Sequence, residues 1–193
     1  MANFDAAYRK TSIFEGAYSN DSIYVGKETY KGISRRYHPT WTGWILIDKF
    51  KQEPGFPLTL SGNKQLDMRV SVFYKQHYWD INLLDEVPSQ LIAEEIFDTG
   101  VNMGVQRVIM FLQKALNVLN KNGLIYSDIV EDGKMGPKTL KTLKVCLDYR
   151  GDEYLYKIMN ILQGNHYIDY MSKSPIQEKF AYGWLKRVSF KKD

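Results

Sequence analysis

Apolar side chains recur at helical spacing along most of this 193-residue chain. The clearest stripe runs from Val101 to about Leu119, where an apolar residue returns every three or four positions, which is the spacing of one face of an α-helix. Shorter stripes of the same period predict helices over residues 4–16, 66–77 and 88–96. We therefore expect a mainly α-helical protein.

Signals for helix ends predict three further helices in the last third of the chain. Pro137 suits the start of a helix over residues 138–148, because the N–H that proline lacks would have no partner there in any case. Asp152 could cap the helix that follows. The Ser-Pro-Ile-Gln sequence at 174–177 resembles a capping box and predicts a last helix that runs to about Val188.

One region near the N-terminus departs from the helical period. Residues 19–37 place pairs of aromatic or β-branched residues between turn-forming Ser, Asn, Asp and Gly, a pattern typical of a small β-hairpin or an ordered loop. The chain has neither an internal repeat nor a linker rich in Pro, Gly or Ser. The sequence thus predicts one small β element in a helical protein.

Charge is distributed unequally between the two halves of the chain. Residues 1–97 carry 11 Lys and Arg against 12 Asp and Glu, whereas residues 98–193 carry 15 against 10. A basic second half suits a polyanionic partner such as nucleic acid or an anionic cell wall, although a solvated lysine-rich surface gives the same count. Aromatic residues, 14% of the chain, leave a similar choice between a groove for sugars or bases and an aromatic core.

Composition argues against several classes of protein. No apolar run approaches the ~18–20 residues that a membrane span requires, so we expect no stable membrane insertion. The segment 1–5 contains no basic region followed by an apolar one, which a signal peptide would have. We therefore expect synthesis in the cytoplasm without a signal peptide. The single cysteine, Cys146, cannot form an internal disulfide, and its apolar neighbours predict a buried structural thiol.

Motifs for metal and nucleotide chemistry are absent from the sequence. His38, His77 and His166 are far apart, and none stands at metal-ligand spacing from another histidine or from the cysteine, so zinc is not expected. There is no phosphate-binding loop and no serine-hydrolase motif. The acidic segment 128–133 resembles a fragment of a calcium loop, but a tight turn held by an Asp side chain explains it equally well. We expect neither a metal nor an organic cofactor.

Glu15 is the carboxylate whose setting suggests chemistry. It lies where the first predicted helix ends, within the largely apolar segment 13–18. Partial burial and the negative end of the helix dipole both disfavour the anion and raise the pKa of such a carboxyl. An acid of this kind could protonate the oxygen of a leaving sugar, and an exposed or salt-bridged glutamate at a helix end is the alternative.

Two segments carry a resemblance to a known family: Glu-Gly-Ala-Tyr-Ser-Asn-Asp at 15–21 and Gly-Lys-Glu-Thr-Tyr-Lys-Gly-Ile-Ser at 26–34. At this spacing they resemble the signature of glycoside hydrolase family 108, the lysozyme-like N-acetylmuramidases often described as phage endolysins or secretion activators. Segments at 74–80, 132–139 and 183–188 resemble further family features in the same order. The resemblance extends over nearly the whole chain.

The resemblance implies a domain organisation and a fold. We expect a lysozyme-like helical fold with a small β-hairpin near the N-terminus. Residues 1–97 would form the catalytic region, and residues 98–193 would form a helical region of the peptidoglycan-binding type, packed with the first as one body.

The resemblance also implies roles for individual residues. Glu15 takes the position of the family's catalytic glutamate and would act as general acid on the glycosidic oxygen. Thr29 takes the position of the family's threonine on the following hairpin, and Asp21 or Glu28 would help it to position water or to stabilise the oxocarbenium-like transition state. Four aromatic residues are candidates either to line the sugar cleft or to belong to the core: Tyr18, Tyr30, Tyr78 and Trp79.

The activity implied by the resemblance is a bacterial or prophage muramidase that cleaves the β-1,4 bond between N-acetylmuramic acid and N-acetylglucosamine. Peptidoglycan would be its partner, reached by export through a holin or by release at lysis. A non-catalytic wall-binding or secretion-accessory protein with the same fold is the alternative. Nucleic-acid binding is a third interpretation, which rests only on charge and aromatic content, and we expect no nucleic-acid partner.

Overall fold

The computed structural model describes residues 1–12, 17–20 and 28–189. Its described elements are, in chain order, α1 (Phe4–Ser12), β1 (Tyr18–Asn20), β2 (Glu28–Tyr30), β3 (Ile33–Ser34), α2 (Gly43–Phe50), α3 (Lys64–Tyr74), α4 (Gln90–Met103), α5 (Val105–Leu119), α6 (Pro137–Arg150), α7 (Glu153–Lys173) and α8 (Ala181–Leu185). Short 3₁₀ turns cover Leu58–Leu60, Asp80–Asn82, Leu84–Glu86 and Pro175–Phe180, and a π-helical turn covers Lys75–Trp79. The predicted class, mainly α with a small β element near the N-terminus, is confirmed.

The chain forms two compact units. Residues 8–77 form the first, which we call the sheet unit, and it contains the three strands, α2 and α3. Residues 1–7 together with the chain from residue 78 onward form the second, which we call the helical unit.

The sheet unit is built on three antiparallel strands in the order β1-β2-β3. Lys31 and Gly32 form the two-residue turn between β2 and β3, with φ values of +42° and +78°, as a type I′ hairpin turn requires. α3 fixes this turn at two points. The Tyr74 hydroxyl donates to the Lys31 carbonyl at 2.9 Å, and the Lys31 amine lies 2.6 Å from the Asp67 carboxylate.

The core of the sheet unit lies where α2 packs against α3. The buried side chains of these helices recur every three or four residues, which places them on one stripe of each helix: Trp44, Ile47, Leu66, Val70 and Phe73. Asn63 caps α3, since its side-chain oxygen accepts from the Leu66 N–H at 3.0 Å. The helix predicted to reach residue 77 ends as an α-helix at Tyr74 and continues as the π-helical turn.

The helical unit packs α4, α5 and α7 against one another, with α6 against α5. Its largest fully buried side chains include Phe97, Ile109, Leu112, Leu116 and Leu143. Burial of a side chain of this size contributes roughly 1.5–3 kcal/mol. Cys146 is buried as predicted, and burial raises the pKa of its thiol.

The prediction of one helix that begins at Val101 is wrong about where that helix begins. Gly104 adopts φ +93° and ends α4 at Met103, and α5 begins at Val105. An L-residue with a side chain rarely adopts this backbone conformation, whereas glycine does so without steric cost. The apolar period hides the break because the stripes of both helices face the same core.

The three signals for helix starts in the last third of the chain have different outcomes. α6 begins at Pro137 as predicted. Asp152 occupies the N-cap position of α7 as predicted, but its side chain makes no capping hydrogen bond, and its carboxylate accepts instead from the Ser89 hydroxyl at 2.8 Å. The predicted last helix is wrong: Ser174 makes no side-chain cap, and its carbonyl accepts from the Gln177 N–H at 2.9 Å. That bond between residues three apart forms a 3₁₀ turn, and α8 is only five residues long.

Candidate functional site

A row of hydroxyl groups crosses the centre of the sheet. Thr29 of β2 lies directly opposite Ser19 of β1 and Ser34 of β3. Because directly opposed residues of antiparallel strands share a face, with Cβ atoms about 4.5–5.5 Å apart, the three side chains form one line, which we call the hydroxyl row. Ser19 is exposed and the other two are partly exposed, so a ligand can reach this face.

The other predicted residues of the sheet lie on its opposite face. Alternation along β2 directs Glu28 and Tyr30 away from the face of Thr29. Tyr30 is buried, and burial together with the charge of Asp67 raises the pKa of its hydroxyl. Tyr18 pairs in register with Tyr30 and is partly exposed. The structure thus brings four predicted residues to one sheet but divides them between its two faces.

Glu28 is buried, with 9% of its surface exposed, and belongs to a cluster of charges. Its carboxylate lies 2.7 Å from the Lys51 amine and 2.9 Å from the Arg35 Nε, the latter in ion-pair geometry without a hydrogen bond. The Tyr18 hydroxyl donates to the same carboxylate at 3.1 Å. Asp48 contacts both cations at 2.7 and 3.1 Å. We call Glu28, Arg35, Asp48 and Lys51 the charge cluster.

The charge cluster is internally matched, with two acids and two bases. Hydrogen bonds from Arg35 lower the pKa of Asp48. Burial disfavours the charged amine of Lys51, but hydrogen bonds to Glu28 and Asp48 outweigh burial and raise its pKa. The oxygens of Glu28 already contact two cations and a hydroxyl, and this commitment suits a residue that holds β2 to the end of α2 better than one that exchanges a proton with a substrate.

Two predicted catalytic residues, Glu15 and Asp21, lie outside the described residues. α1 ends three residues before Glu15, and β1 begins three residues after it. Asp21 directly follows the last residue of β1. Of the four predicted catalytic residues, the structure describes Thr29 in the hydroxyl row and Glu28 in the charge cluster. The roles of Glu15 and Asp21 stay predictions.

Tyr78 and Trp79 belong to the helical unit rather than to the sheet unit. Trp79 has no exposed surface; its ring contacts those of Phe4 and Phe97 at centroid distances of 5.6 and 5.8 Å, and its indole N–H donates to Asp85 at 2.8 Å. This burial favours the core role over the sugar-binding role. Tyr78 is partly exposed.

A cleft of about 360 Å³ opens in the helical unit, where the end of α4 and the start of α5 meet α7. Tyr167 and Trp184 stack at 5.2 Å, and His166 and Tyr170 stack at 6.3 Å, each pair nearly parallel. We call this feature the aromatic cleft; its full lining is Asn102, Met103, Arg107, His166, Tyr167, Tyr170 and Trp184. Concave sites with an apolar lining and a few polar groups are typical of ligand binding.

The polar groups of the aromatic cleft are one cation and several neutral donors. Arg107 is exposed and donates to the Met103 carbonyl at 3.3 Å. Burial and the charge of Arg107 lower the pKa of His166, which keeps this ring neutral at pH 7. The Tyr167 hydroxyl donates to the Asn102 side chain at 2.7 Å. Such a surface suits a polar ring-containing ligand that is neutral or anionic.

The acidic segment 128–133 contributes a turn. Asp132 accepts from the Lys134 N–H at 2.9 Å and from the Gln113 amide at 2.8 Å, which is how an Asp side chain closes a tight turn. Gly133 has φ +71°, and a Cβ there would lie 2.5 Å from Gln106. Within the described ranges, no group of three or more His, Cys, Asp and Glu side chains could hold a metal ion.

Comparison with known proteins identifies the family. Residues 8–104 match the family model described as glycosyl hydrolase 108, and residues 107–189 match a model described as a predicted peptidoglycan domain. The chain belongs to glycosyl hydrolase family 108. The two matches together indicate a glycoside hydrolase that acts on peptidoglycan.

The fold is also that of a solved structure. The structure of Brucella abortus SagA aligns with a TM-score of 0.60 at 17% sequence identity, over 96% of this chain and 88% of that one. At this identity the likeness extends to the fold alone. No curated protein matches the chain.

The boundaries of the family matches differ from those of the compact units. The first family match ends at residue 104 and the second begins at residue 107. The chain passes from one compact unit to the other between residues 7 and 8 and again between residues 77 and 78. The division at residues 97 and 98 stays a prediction. No helix within the described ranges has both the length and the apolar character of a membrane span.

Proposed function

We propose that this chain is an N-acetylmuramidase, which cleaves the β-1,4 bond between N-acetylmuramic acid and N-acetylglucosamine with Glu15 as the general acid. The hydroxyl row is the observation that carries this proposal. Thr29 lies at the centre of the reachable face of the sheet, inside the stretch that matches glycosyl hydrolase 108. Glu15 precedes β1, the strand that pairs directly with that of Thr29.

The reaction needs one proton donor and one positioned water. Glu15 would give its proton to the glycosidic oxygen as that bond breaks, and positive charge would develop on the muramic acid ring. The Thr29 hydroxyl can accept one hydrogen bond and donate another, so it could hold a water that attacks the anomeric carbon from the opposite face. Asp21 would take the proton of that water, and we assign Glu28 to the charge cluster. This route inverts the configuration at the anomeric carbon.

The test is digestion of purified peptidoglycan, followed by mass spectrometry of the soluble fragments. We expect the wild type to release fragments with reducing N-acetylmuramic acid ends. Glu15→Gln should reduce the rate by about 10²–10⁴-fold, the typical contribution of a general acid. Glu53→Gln is the matched control, because Glu53 is exposed in the same unit, and it should leave the rate unchanged.

The other outcomes separate the remaining interpretations. Equal activity of the wild type and Glu15→Gln would remove Glu15 from the site and leave the enzyme class standing. Sacculi that bind the wild type but stay intact would favour a non-catalytic wall-binding or secretion-accessory protein. Reducing N-acetylglucosamine ends would contradict the bond that we propose.

We assign retention on the wall to the aromatic cleft, which lies mostly in the stretch that matches the peptidoglycan domain. Tyr170 is 46% exposed and stacks on His166, so its ring can contact a sugar. Tyr170→Ala should weaken binding to sacculi by about tenfold, equivalent to ~1.4 kcal/mol. Tyr149→Ala, which removes an exposed ring on α6, should have no effect, and equal losses in both variants would contradict the assignment. Delivery to the wall by a holin or by lysis stays a prediction.

A further inference from the structure

A second cleft, of about 490 Å³, lies in the sheet unit between the segment that precedes α2 and one side of α3. The rings of His38, Trp41, Phe73 and His77 line it together with the side chain of Arg69. None of its ten lining residues is acidic. We call it the cationic cleft.

Arg69 is held in place without neutralisation of its charge. Its guanidinium donates to the Thr42 hydroxyl at 2.6 Å, and its backbone carbonyl accepts from the Trp41 indole N–H at 3.4 Å. Its Nε is inaccessible to solvent and has no hydrogen-bond partner among the residues that the structure describes. A buried donor without a partner destabilises a folded protein, so the protein maintains this arginine at a cost in stability.

The acidic residues of α2 and α3, the two helices beside the cleft, already pair with other cations. Asp67 is the one acid of α3, and it pairs with Lys31 at 2.6 Å. Asp48 of α2 pairs with Arg35 and Lys51 in the charge cluster. Within the described part of the chain, Arg69 therefore has no carboxylate, and an anionic ligand is the partner that this cleft lacks.

Two histidine rings lie beside Arg69, and one of them, His38, adds a neutral donor. The rings of His38 and His77 are 5.4 Å apart, and both contact the ring of Phe73. Burial, with a smaller contribution from His77, lowers the pKa of His38, so this ring is neutral at pH 7. A neutral imidazole can donate one hydrogen bond to a carboxylate.

Trp41 supplies a flat apolar surface next to these polar groups. A Cβ on Gly43 would lie 2.2 Å from the Trp41 ring, so glycine lets the indole rest directly on the backbone where α2 begins. The ring is partly exposed in the cleft. An aromatic face beside a fixed guanidinium suits a ligand that joins a sugar or peptide surface to a carboxylate.

We propose that the cationic cleft binds a carboxylate of the peptide that peptidoglycan carries on its muramic acid, with Arg69 as the charge partner and Trp41 against the adjoining part of the ligand. This inference rests on the proposed substrate and adds a second recognition site to it. In peptide-bearing glycan the lactyl carboxyl of muramic acid is joined to the peptide as an amide, so the free carboxylates lie on the peptide. This cleft would therefore bind the peptide rather than the sugar backbone.

The probe is muramyl dipeptide, N-acetylmuramoyl-L-alanyl-D-isoglutamine, compared with its amidated form, which lacks only the negative charge. The protein has three histidines, and NMR of their ring protons reports on both clefts: His38 and His77 on the cationic cleft and His166 on the aromatic cleft. We expect muramyl dipeptide to shift the signals of His38 and His77. The amidated form should bind about tenfold more weakly, because a charge-assisted hydrogen bond is lost.

Variants then test Arg69 itself. Arg69→Gln should weaken binding of muramyl dipeptide by about tenfold and remove the difference between the two forms. Lys64→Gln, which removes an exposed cation from the same helix, should preserve both. Arg69→Lys, which keeps the charge but not the planar fork, should fall between them.

Several results would overturn the proposal: equal binding of the charged and amidated forms, shifts confined to His166, or equal binding of acetate and muramyl dipeptide. Because muramyl dipeptide contains no bond between two sugars, its binding is measured independently of cleavage. Failure of binding here and failure of wall digestion are therefore separate results.

Discussion

The sheet unit and the helical unit each bury a carboxylate, but they surround it in opposite ways. Glu28 of the sheet unit contacts two cations and a tyrosine hydroxyl within about 3 Å. Glu95 of α4 in the helical unit is 7% exposed, and the Thr99 hydroxyl donates to it at 3.1 Å. Arg187 instead pairs with Asp98, at 2.7 Å. Cations thus surround the carboxylate in one region, whereas burial disfavours the charged form of the carboxylate in the other.

This comparison shows that a raised pKa alone does not make a carboxyl a catalytic acid, because the carboxyl must also be accessible to a substrate. Burial, with a smaller contribution from Asp98, raises the pKa of Glu95 from 4.5 to about 7, a value that suits a general acid. Its side chain is nevertheless enclosed in the helical core. Glu28 faces away from the hydroxyl row and is committed to the charge cluster. Glu95 lacks access to a substrate, and the oxygens of Glu28 are occupied by its partners, so neither suits the acid role that we propose for Glu15.

The largest effect that we expect from this comparison is a pH dependence of stability due to Glu95. Between pH 4.5 and 7 the folded protein keeps a proton on Glu95 that the unfolded chain has lost. The contribution of Glu95 to the free energy of unfolding is therefore complete below pH 4.5, decreases as the pH rises towards 7, and changes no further above it. The total loss is about 3 kcal/mol.

Urea unfolding of the wild type and Glu95→Gln across this pH range measures the effect. Glutamine has the same shape and can still accept from Thr99, but it does not titrate. The difference in free energy of unfolding between the two proteins should shift by about 3 kcal/mol in favour of the variant from pH 4.5 to 7. Parallel pH profiles would show that Glu95 does not titrate in this range.

The pattern of the sequence predicted the helices better than their ends. An apolar stripe reports which side chains face a core, and α4 and α5 face the same one, so the period continued through Gly104. The break depends on one positive φ, which the stripe does not record. Ser174 shows the same limit, since a capping sequence competes with a 3₁₀ bond from Gln177 to its carbonyl.

The candidate site was predictable where it depends on strand alternation and unpredictable where it depends on distant contacts. Thr29 was identified by family resemblance, and a register in which Ser19 and Ser34 oppose it completes the row. The cationic partners of Glu28, Arg35 and Lys51, lie before and directly after α2, and no local sequence pattern predicts such ion pairs. The spacing of His166, Tyr167 and Tyr170 could have marked one face of α7, but Trp184 joins them only through folding.

The smaller effect expected from the comparison concerns Glu28, and it decides between a structural and a catalytic role. Glu28→Gln leaves Arg35 and Lys51 without one carboxylate, but both cations are about 30% exposed and keep Asp48. The loss in free energy of unfolding should therefore be about 2 kcal/mol, less than for a fully buried pair. Urea unfolding measures it against Glu53→Gln, which should change stability by less than about 0.5 kcal/mol.

The activity of folded Glu28→Gln completes this prediction. If Glu28 holds β2 to α2, each folded molecule should cleave peptidoglycan within about threefold of the wild-type rate, because the hydroxyl row lies on the other face of the sheet and the cost falls on stability. A variant that stays as stable as the wild type yet loses cleavage as Glu15→Gln does would assign Glu28 to the chemistry. A structural role of Glu28 therefore predicts lower stability with a nearly unchanged rate, and a catalytic role predicts unchanged stability with a lost rate. Glu28→Gln alone distinguishes the two roles.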